Sequence, residues 1–335
     1  MQTCPRAIIL ETQAMKRSFA SLIASAAVAL PALLAAQTFP SKPVTFVVPF
    51  GPAAGADMIA RSIATTMSKH LGQPAVVDNK PGGNAFIGSQ AVLNAPADGH
   101  TVLISSNSPV IFNKLLFKSM PYDSIKDFIP VAGFCSGSVV VTVHSKSRFH
   151  NVAELVEYGR KNPGKLTVAY SSSATQLAAA MFQQLSGVKM LEVPYRAFAP
   201  ALNAQLGEEV DLLFPPPDLV APHIRSGALR PLAVTGSKRM ASLWPDVPTL
   251  QEAGIKAYEF TFWYGAWAKE GTPMSVVDKL RNAMLHALDE PDGQKFLAAN
   301  ACEPMRMTRP EFAKFQQQEL EKWGKVVREA GIQPQ

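Results

Sequence analysis

Three junctions between strand-like and helix-like segments hold the residues that could do chemistry in this chain. They read "PFGPAAGAD" from Pro49, "AYSSSATQ" from Ala169 and "VPYRAFAPALNA" from Val193. The first N–H groups of a helix have no acceptor inside the helix, and the helix dipole adds positive potential there. Small neighbouring residues let a ligand approach these groups. The junctions therefore predict a site for an anion such as a carboxylate, although any one of them alone could be an ordinary helix cap.

The elements that must position these junctions alternate along the chain. Short Val-rich runs such as "VTFVV", "HTVLIS", "SVVVTV" and "LTVAYS" are separated by amphipathic stretches such as "MIARSIATTMSKHL" and "VAELVEYGRKNPG". This order predicts an α/β fold with largely parallel sheets and right-handed crossovers. In such sheets ligands bind beyond the carboxyl ends of the strands, where the three junctions lie. From Pro273 onward the chain is mostly helical in pattern.

Residues 1–36 have the pattern of a secretory signal peptide. Lys16 and Arg17 precede the apolar stretch "SFASLIASAAVALPALLAA", and cleavage is expected near Ala35 or Ala36. Met15 is an alternative start. We therefore expect an exported protein, and no later stretch is long and apolar enough to span a bilayer.

Net charge argues against one class of partner. The formal charge is +6, and residues 1–36 contribute Arg6, Lys16 and Arg17 against Glu11, so the exported part carries +4. It has no dense block of Lys or Arg, so nucleic-acid binding is unsupported. A mild positive excess suits a small anionic ligand.

Cys135 and Cys302 are the cysteines that remain after the leader. They could pair in an oxidising compartment, but nothing in the sequence places them near each other. We therefore favour two buried free thiols over a disulfide.

Enzyme and metal motifs are incomplete. The segment "GRKNPGKL" has the spacing of a phosphate-binding loop, but Leu166 replaces its Ser or Thr and the segment follows a helix. "GFCSG" places Cys135 at the centre of a hydrolase-like elbow, within a strand-like run. The six histidines lack zinc-site spacing, and "GGNAFIG" lacks the dinucleotide-binding register. We expect no catalytic residue, no metal site and no cofactor.

Several linked blocks match one family. "PFGPAAGADMIAR", "DNKPGGNAFIGSQAV", "NPGKLTVAYSSSATQLAAAMF" and "VPYRAFAPALNAQLGEEVDLLF" occur in the expected order and cover, with their flanks, essentially the whole exported chain. The chain thus resembles the tripartite tricarboxylate transporter substrate-binding proteins, also called Bug receptors. It departs from them at Ala53 and Ala54, where a glycine pair is usual, and at Phe198, where a small residue is usual.

The resemblance implies a two-lobed α/β periplasmic binding protein of the Venus-flytrap type, similar to type II, with a central mostly parallel sheet in each lobe. The hinge strands would be "SVVVTVHS" and "FTFWYGAW". Lobe 1 would then comprise residues 37–142 and 263–335, and lobe 2 residues 143–262. Closure would gather the three junctions around a carboxylate held by backbone amides, hydroxyls and water.

The predicted ligand-binding residues come from the three junctions and from the end of the strand "HTVLI". They are Phe50, Pro52, Ala53, Ala54, Asp57, Ser105, Ser106, Asn107, Ser171, Ser172, Ser173, Thr175, Gln176, Tyr195, Arg196, Phe198 and Ala199.

Most of these residues have a structural alternative. Asp57 either caps its helix or faces the ligand, and Arg61, one turn later, is expected to pair with Asp57 or with the other lobe. The hydroxyls of the second junction either bind the ligand or cap the helix. Arg196 either meets a distal carboxylate or lies on the surface. The ring of Phe198 favours an aromatic or long-chain carboxylate over citrate. Trp263 and Trp267 are expected in the core.

Two functions from different classes remain open. The first is a non-enzymatic, monomeric periplasmic receptor that passes a carboxylate to the membrane components of a tripartite tricarboxylate transporter, or reports it to a sensor kinase. The second is a secreted α/β hydrolase or transferase that uses a serine of residues 171–173. The enzyme needs a base beside that serine, and no histidine lies in the loop. A periplasmic scaffold without a ligand is a minor third alternative.

Overall fold

The computed structural model describes residues 39–329 and 331–334. The predicted signal peptide, residues 1–36, lies outside this part of the chain. The strands and helices of the described residues belong to the unit that begins at Lys42. Within the described ranges, no helix has the length and apolar character needed to cross a membrane.

Ten strands and ten α-helices are assigned in the described residues. The strands are β1 (Val44–Val48), β2 (Ala75–Asn79), β3 (Thr101–Ser106), β4 (Phe128–Ser138), β5 (Val140–His144), β6 (Leu166–Tyr170), β7 (Met190–Pro194), β8 (Leu229–Val234), β9 (Thr261–Lys269) and β10 (Glu303–Pro304). The helices are α1 (Gly55–Leu71), α2 (Phe86–Leu93), α3 (Asn113–Leu116), α4 (Val152–Lys161), α5 (Ser173–Ser186), α6 (Phe198–Leu206), α7 (Pro217–Arg225), α8 (Met274–Asp289), α9 (Pro291–Ala299) and α10 (Arg309–Glu329). A short 3₁₀ turn (Gly83–Ala85) precedes α2, and a π-helical turn (Ser108–Phe112) precedes α3.

The first sheet has six strands in the order β10-β4-β9-β3-β1-β2. The β2-β1-β3 half is parallel, whereas β3-β9, β9-β4 and β4-β10 are antiparallel. Strand β9 returns from late in the chain and lies between β3 and β4. The predicted α/β architecture is confirmed, and the parallel half of this sheet carries the first junction.

The second sheet is built from two strand pairs and a short bridging segment. β5 and β8 are antiparallel, and β6 and β7 are parallel. Residues 212–213 join the pairs: the N–H of Thr142 donates to the carbonyl of Leu213 at 3.1 Å, and the N–H of Leu212 donates to the carbonyl of Thr167 at 3.0 Å. The second and third junctions follow β6 and β7. The predicted lobe limits fall inside β5 and β9, and the division into lobes stays a prediction.

The two faces of β9 carry different aromatic side chains, because successive residues of a strand alternate between the faces. Trp263 and Trp267 lie on one face, fully buried, and their indole N–H groups donate to Glu319 and Gln316 of α10, each at 3.1 Å. The two tryptophans are in the core, as expected. Successive strand residues point to opposite faces, so Phe262 and Tyr264 point away from α10.

Cys135 and Cys302 form a disulfide, with their Cα atoms 5.6 Å apart. The expectation of two free thiols is therefore wrong. The pairing of β10 with β4 sets Pro304 opposite Cys135, which brings the neighbouring Cys302 into range. The two-residue β10 has no periodicity that a sequence could show, and 167 residues separate the cysteines.

Candidate functional site

Residues of all three predicted junctions line one cavity of 1080 Å³. The cavity lies beyond the carboxyl ends of β1, β6 and β7, where α1, α5 and α6 begin. Its lining includes residues 49–56, 171–175 and 194–199. The structure thus brings together three helix N-termini that are far apart in sequence.

The first junction presents two free backbone donors. Helix α1 begins at Gly55, behind an extended Ala54 (φ −69°, ψ 153°) whose side chain cannot cap it. Among the described residues, the N–H groups of Gly55 and Ala56 have no acceptor, whereas the N–H of Asp57 donates to the carbonyl of Ala54 at 2.8 Å. Because the helix dipole is positive at this end, the two donors suit an anion.

The carboxylate of Asp57 fixes the loop of the first junction through hydrogen bonds. Its carboxylate accepts hydrogen bonds from the N–H of Ala53 and from Arg61 Nε, each at 2.9 Å. Asn79 Nδ2 donates to the same carboxylate at 2.9 Å and to the carbonyl of Phe50 at 3.1 Å. Burial by itself would raise the pKa of Asp57, but the hydrogen bonds from Arg61, Asn79 and Ala53 hold it below its ordinary value. The predicted ion pair between Asp57 and Arg61 is present.

The second junction is capped and tied to neighbouring elements. Ser172 and Thr175 form a capping box at the start of α5. The Ser173 hydroxyl donates to Asn113 Oδ1, and the N–H of Ala174 donates to Ser108 Oγ at 3.2 Å. The N–H of Ser173 has no acceptor in the described part of the chain. One backbone donor therefore remains for a ligand.

The third junction is the most open. Helix α6 begins at Phe198 behind an extended Ala197, and no side chain caps it. The N–H groups of Phe198 and Ala199 have no acceptor within the described ranges. Pro200 is the third helical residue, so the N–H groups of the two residues before it stay available. Arg196 is exposed at the rim.

An aromatic floor completes the cavity, and sequence analysis missed it. Phe260, Phe262 and Tyr264 line the cavity from β9 and the residue before it. The rings of Phe262 and Tyr264 are 5.1 Å apart between centroids. The alternation of β9 was visible in "FTFWYGAW", but the sequence could not show which face meets the cavity.

A buried carboxylate lies close enough to Tyr264 to influence its ionisation. Both carboxylate oxygens of Asp218, in the first turn of α7, are buried, and the N–H of Leu219 and the side chain of Asn300 only partly oppose the effect of this burial on its pKa. Burial raises the pKa of Asp218 to about 6. Burial, together with the charge of Asp218, raises the pKa of Tyr264 well above its ordinary value.

Most of the predicted ligand-binding residues line the cavity: Phe50, Pro52, Ala53, Ala54, Ser106, Ser171, Ser172, Ser173, Thr175, Tyr195, Arg196, Phe198 and Ala199. The others do not. Asp57 lies behind the loop, Ser105 and Asn107 are fully buried at the end of β3, and Gln176 faces a separate depression beside α5. Asn107 Nδ2 donates to the carbonyl of Thr261 at 3.3 Å, so this asparagine contacts β9.

Other lining residues were not predicted. They are Pro49, Gly51, Gly55, Ala56, Pro81, Gly82, Gly83, Asn84, Ala85, Ser108, Val139, Ala174, Pro194, Ala197, Leu202, Pro216, Leu219, Phe260, Phe262 and Tyr264. The loop of residues 81–85 approaches the cavity through left-handed Asn84 and Ala85, and Asn113 Nδ2 donates to the carbonyl of Asn84 at 2.7 Å. The "KPGG" turn was the available sequence signal.

The lining carries little that could do covalent chemistry. Of the described residues that line the cavity, Arg196 is the charged one, and none is a histidine, aspartate or glutamate. The hydroxyls of Ser171, Ser172 and Ser173 therefore have no general base beside them in the lining. No group of three or more potential metal ligands occurs in the part of the chain that the structure describes. The arrangement offers hydrogen-bond donors and apolar surface, which suits binding.

Comparison with known proteins agrees with this geometry. The family model for the tripartite tricarboxylate transporter family receptor matches residues 59–332. Protein BugT of Bordetella pertussis is 32% identical over 312 residues, which are 92% of this chain and 95% of BugT.

Two solved structures are also similar. The structure of R. palustris Rpa4515 with adipate has a TM-score of 0.85 and 33% identity, and the match covers 89% of this chain and 100% of that one. The periplasmic binding protein BugD has a TM-score of 0.83 and 32% identity, with 89% of this chain and 100% of BugD covered. The fold is therefore that of a periplasmic binding protein. The chain belongs to the tripartite tricarboxylate transporter receptor family.

Proposed function

We propose that the protein is a periplasmic receptor that captures a small carboxylate, aromatic or dicarboxylic, for a tripartite tricarboxylate transporter. The observation that carries this proposal is the convergence of three helix N-termini with free N–H groups on one cavity. Such donors hold a carboxylate without a catalytic side chain. The adipate in the similar Rpa4515 structure supports a carboxylate ligand.

In this proposal the receptor closes on its ligand about the chain crossings near residues 138–140 and 260–262. Lobe 1 comprises residues 37–142 and 263–335, and lobe 2 residues 143–262. Residues 1–36 direct export and are removed, and the receptor acts as a monomer that docks on membrane components. Delivery to a sensor kinase is the alternative fate of the same ligand.

A non-enzymatic role fits the lining. A hydrolase that used a serine of residues 171–173 would need a base, and the described residues that line the cavity supply none. We therefore expect the ligand to be released unchanged.

Phe198 allows a direct test of the backbone donors. It is the first residue of α6 and follows an extended residue, a position where proline is tolerated. Phe198→Pro removes both the ring and the N–H, whereas the matched Phe198→Ala removes the ring alone. A hydrogen bond to a charged group is worth about 1.5–3 kcal/mol, so the proline variant should bind a carboxylate about tenfold or more weakly than the alanine variant.

The measurement is calorimetric titration with a panel of mono- and dicarboxylates, with chromatography of the ligand afterwards. Thermal melts of the free proteins show that both variants fold. Equal affinities of the proline and alanine variants would show that the N–H of Phe198 does not bind the carboxylate. Turnover of the acid would favour the enzyme, and failure of every carboxylate to bind would overturn the proposal.

A further inference from the structure

The cavity has a polar end and an apolar end, and the apolar end defines a ligand body. From the structure we infer that the ligand is a monocarboxylate with a flat aromatic body, an arylalkanoate in chemical class. This inference rests on the proposed function and narrows it, because a dicarboxylate would fit the helix N-termini equally well at one end.

The floor of the apolar end is rigid. A Cβ on Gly137 of β4 would come within 2.8 Å of the Phe262 ring, so this ring lies directly across the glycine. The Tyr264 hydroxyl likewise occupies the place of a Cβ on Gly55. Both glycines therefore let the far end of an aromatic side chain approach the backbone closely. Phe262 and Tyr264 are each 3% exposed, so this floor is packed before any ligand arrives and adds little ring surface for a ligand.

The opposite wall comes from α6 and α7. Phe198 and Leu202 lie one helical turn apart on α6, and Leu219 faces the same cavity from α7. Phe198 is only half-buried against the core clusters beneath it, which leaves part of its ring for the cavity. A flat apolar group beside this wall would contact the free part of the Phe198 ring, an arrangement that aromatic groups favour.

The charges of the lining oppose a second carboxylate at the apolar end. Arg196 is the charged residue in the described lining, and it lies exposed at the rim. A carboxylate placed over Phe262 and Leu219 would lose its water and find no cation beside it in the described lining, which is unfavourable. A diacid would have to bend its second carboxylate out toward Arg196.

The test compares 3-phenylpropanoate with adipate by calorimetric titration of the intact protein. Both offer one carboxylate to the helix N-termini, and they differ in the group at the other end. We expect 3-phenylpropanoate to bind at least tenfold more tightly. Phe198→Ala should lower the affinity for 3-phenylpropanoate about tenfold, because an aromatic contact and its buried area are lost. The affinity for adipate should change by less than about threefold.

Two further variants keep the result interpretable. Phe198→Leu retains an apolar wall and should give an intermediate loss for 3-phenylpropanoate, which guards against a folding defect in Phe198→Ala. Arg196→Gln should weaken the binding of adipate more than the binding of 3-phenylpropanoate. The inference would be overturned if adipate bound as tightly as 3-phenylpropanoate or more tightly, and if Arg196→Gln abolished that affinity. The proposed carboxylate receptor would still hold. If neither acid nor any other carboxylate bound, the proposed function itself would fail.

Discussion

The hydroxyl of Tyr264 packs directly against the backbone of Gly55, in the space that a Cβ on Gly55 would occupy. This contact joins β9, in the middle of the first sheet, to the first residue of α1. The position of the α1 donors is thus set by an aromatic residue more than two hundred places later in the sequence. The anion end and the apolar floor of the cavity are parts of one packed unit.

Gly55→Ala should therefore damage both stability and binding. The added methyl group must displace the Tyr264 ring or the start of α1, which should lower the free energy of unfolding by about 1–3 kcal/mol. Carboxylate affinity should fall because the N–H groups of Gly55 and Ala56 move. Urea unfolding and calorimetric titration measure the two effects.

Gly51→Ala is the matched control for stability. Gly51 lies in the same loop, its backbone is not left-handed, and a Cβ there would meet no atom within 4 Å. The free energy of unfolding should change by about 0.5 kcal/mol or less. Adding Tyr264→Phe to Gly55→Ala should recover part of the loss, since the overlapping hydroxyl is gone. Equal destabilisation by the two alanines would refute the role assigned to the contact.

Substitution by glycine should have opposite effects on stability at two alanines of the first junction. Ala53 is left-handed with φ +63°, whereas Ala54 has φ −69°. The left-handed conformation costs a residue with a Cβ about 1–2 kcal/mol, and glycine in an ordinary conformation loses about 0.5–1 kcal/mol through entropy. Ala53→Gly should thus be more stable than Ala54→Gly by about 1–2 kcal/mol in urea unfolding. Identical stabilities would show that the strain at Ala53 is absent in solution.

The disulfide between Cys135 and Cys302 should stabilise the fold. Replacement of both cysteines by alanine should lower the free energy of unfolding by about 2–5 kcal/mol. Reductant should destabilise the native protein and leave the double variant unaffected. Thiol titration of the unfolded, unreduced protein without residues 1–36 supplies the check: two reactive thiols instead of none would disprove the bond.

Asp218 should make stability depend on pH in an unusual direction. Burial raises the pKa of this carboxyl to about 6, so the folded state holds its proton more tightly than the unfolded state does. The native state is therefore penalised above about pH 6, and the penalty disappears as the pH falls below the ordinary pKa. A shift of this size corresponds to roughly 3 kcal/mol at neutral pH.

Asp218→Asn keeps the shape and removes the ionisation. The variant should be more stable than the native protein at pH 7–8 and equal to it near pH 4. Asp57, whose pKa is lowered, loses its stabilising effect in acid, but it does so in both proteins and cancels in the difference. A stability difference that stays constant from pH 4 to pH 8 would show that Asp218 is not the group responsible.

The junctions could be predicted because their signal is local. A helix start preceded by small residues is readable in "PFGPAAGAD" and in "YRAFAP", and the parallel connections bring such starts to one edge of a sheet. The role of Asp57 could not be resolved this way. A carboxylate in a first helical turn can face the ligand or its own loop, and the choice depended on Asn79, from a different strand.

The remaining features depend on long-range packing. Phe262 and Tyr264 alternate with two tryptophans, and both faces of β9 are aromatic, so the pattern could not identify the cavity face. Ser105 and Asn107 follow β3 as a ligand loop would, but β9 covers them by pairing with β3. That pairing brings together segments about 160 residues apart in the sequence. Local sequence patterns do not predict which distant strands pair.

The most direct test of the central claim is a crystal structure with the carboxylate that gives the largest thermal stabilisation. Our account predicts carboxylate oxygens at about 2.7–3.2 Å from backbone nitrogens of at least two of the three helix N-termini, namely at Gly55 or Ala56, Ser173, and Phe198 or Ala199. The apolar body should lie against Phe198 and Leu202. A carboxylate bound by Arg196 alone, with water on the helix N-termini, or a ligand outside this cavity would contradict it.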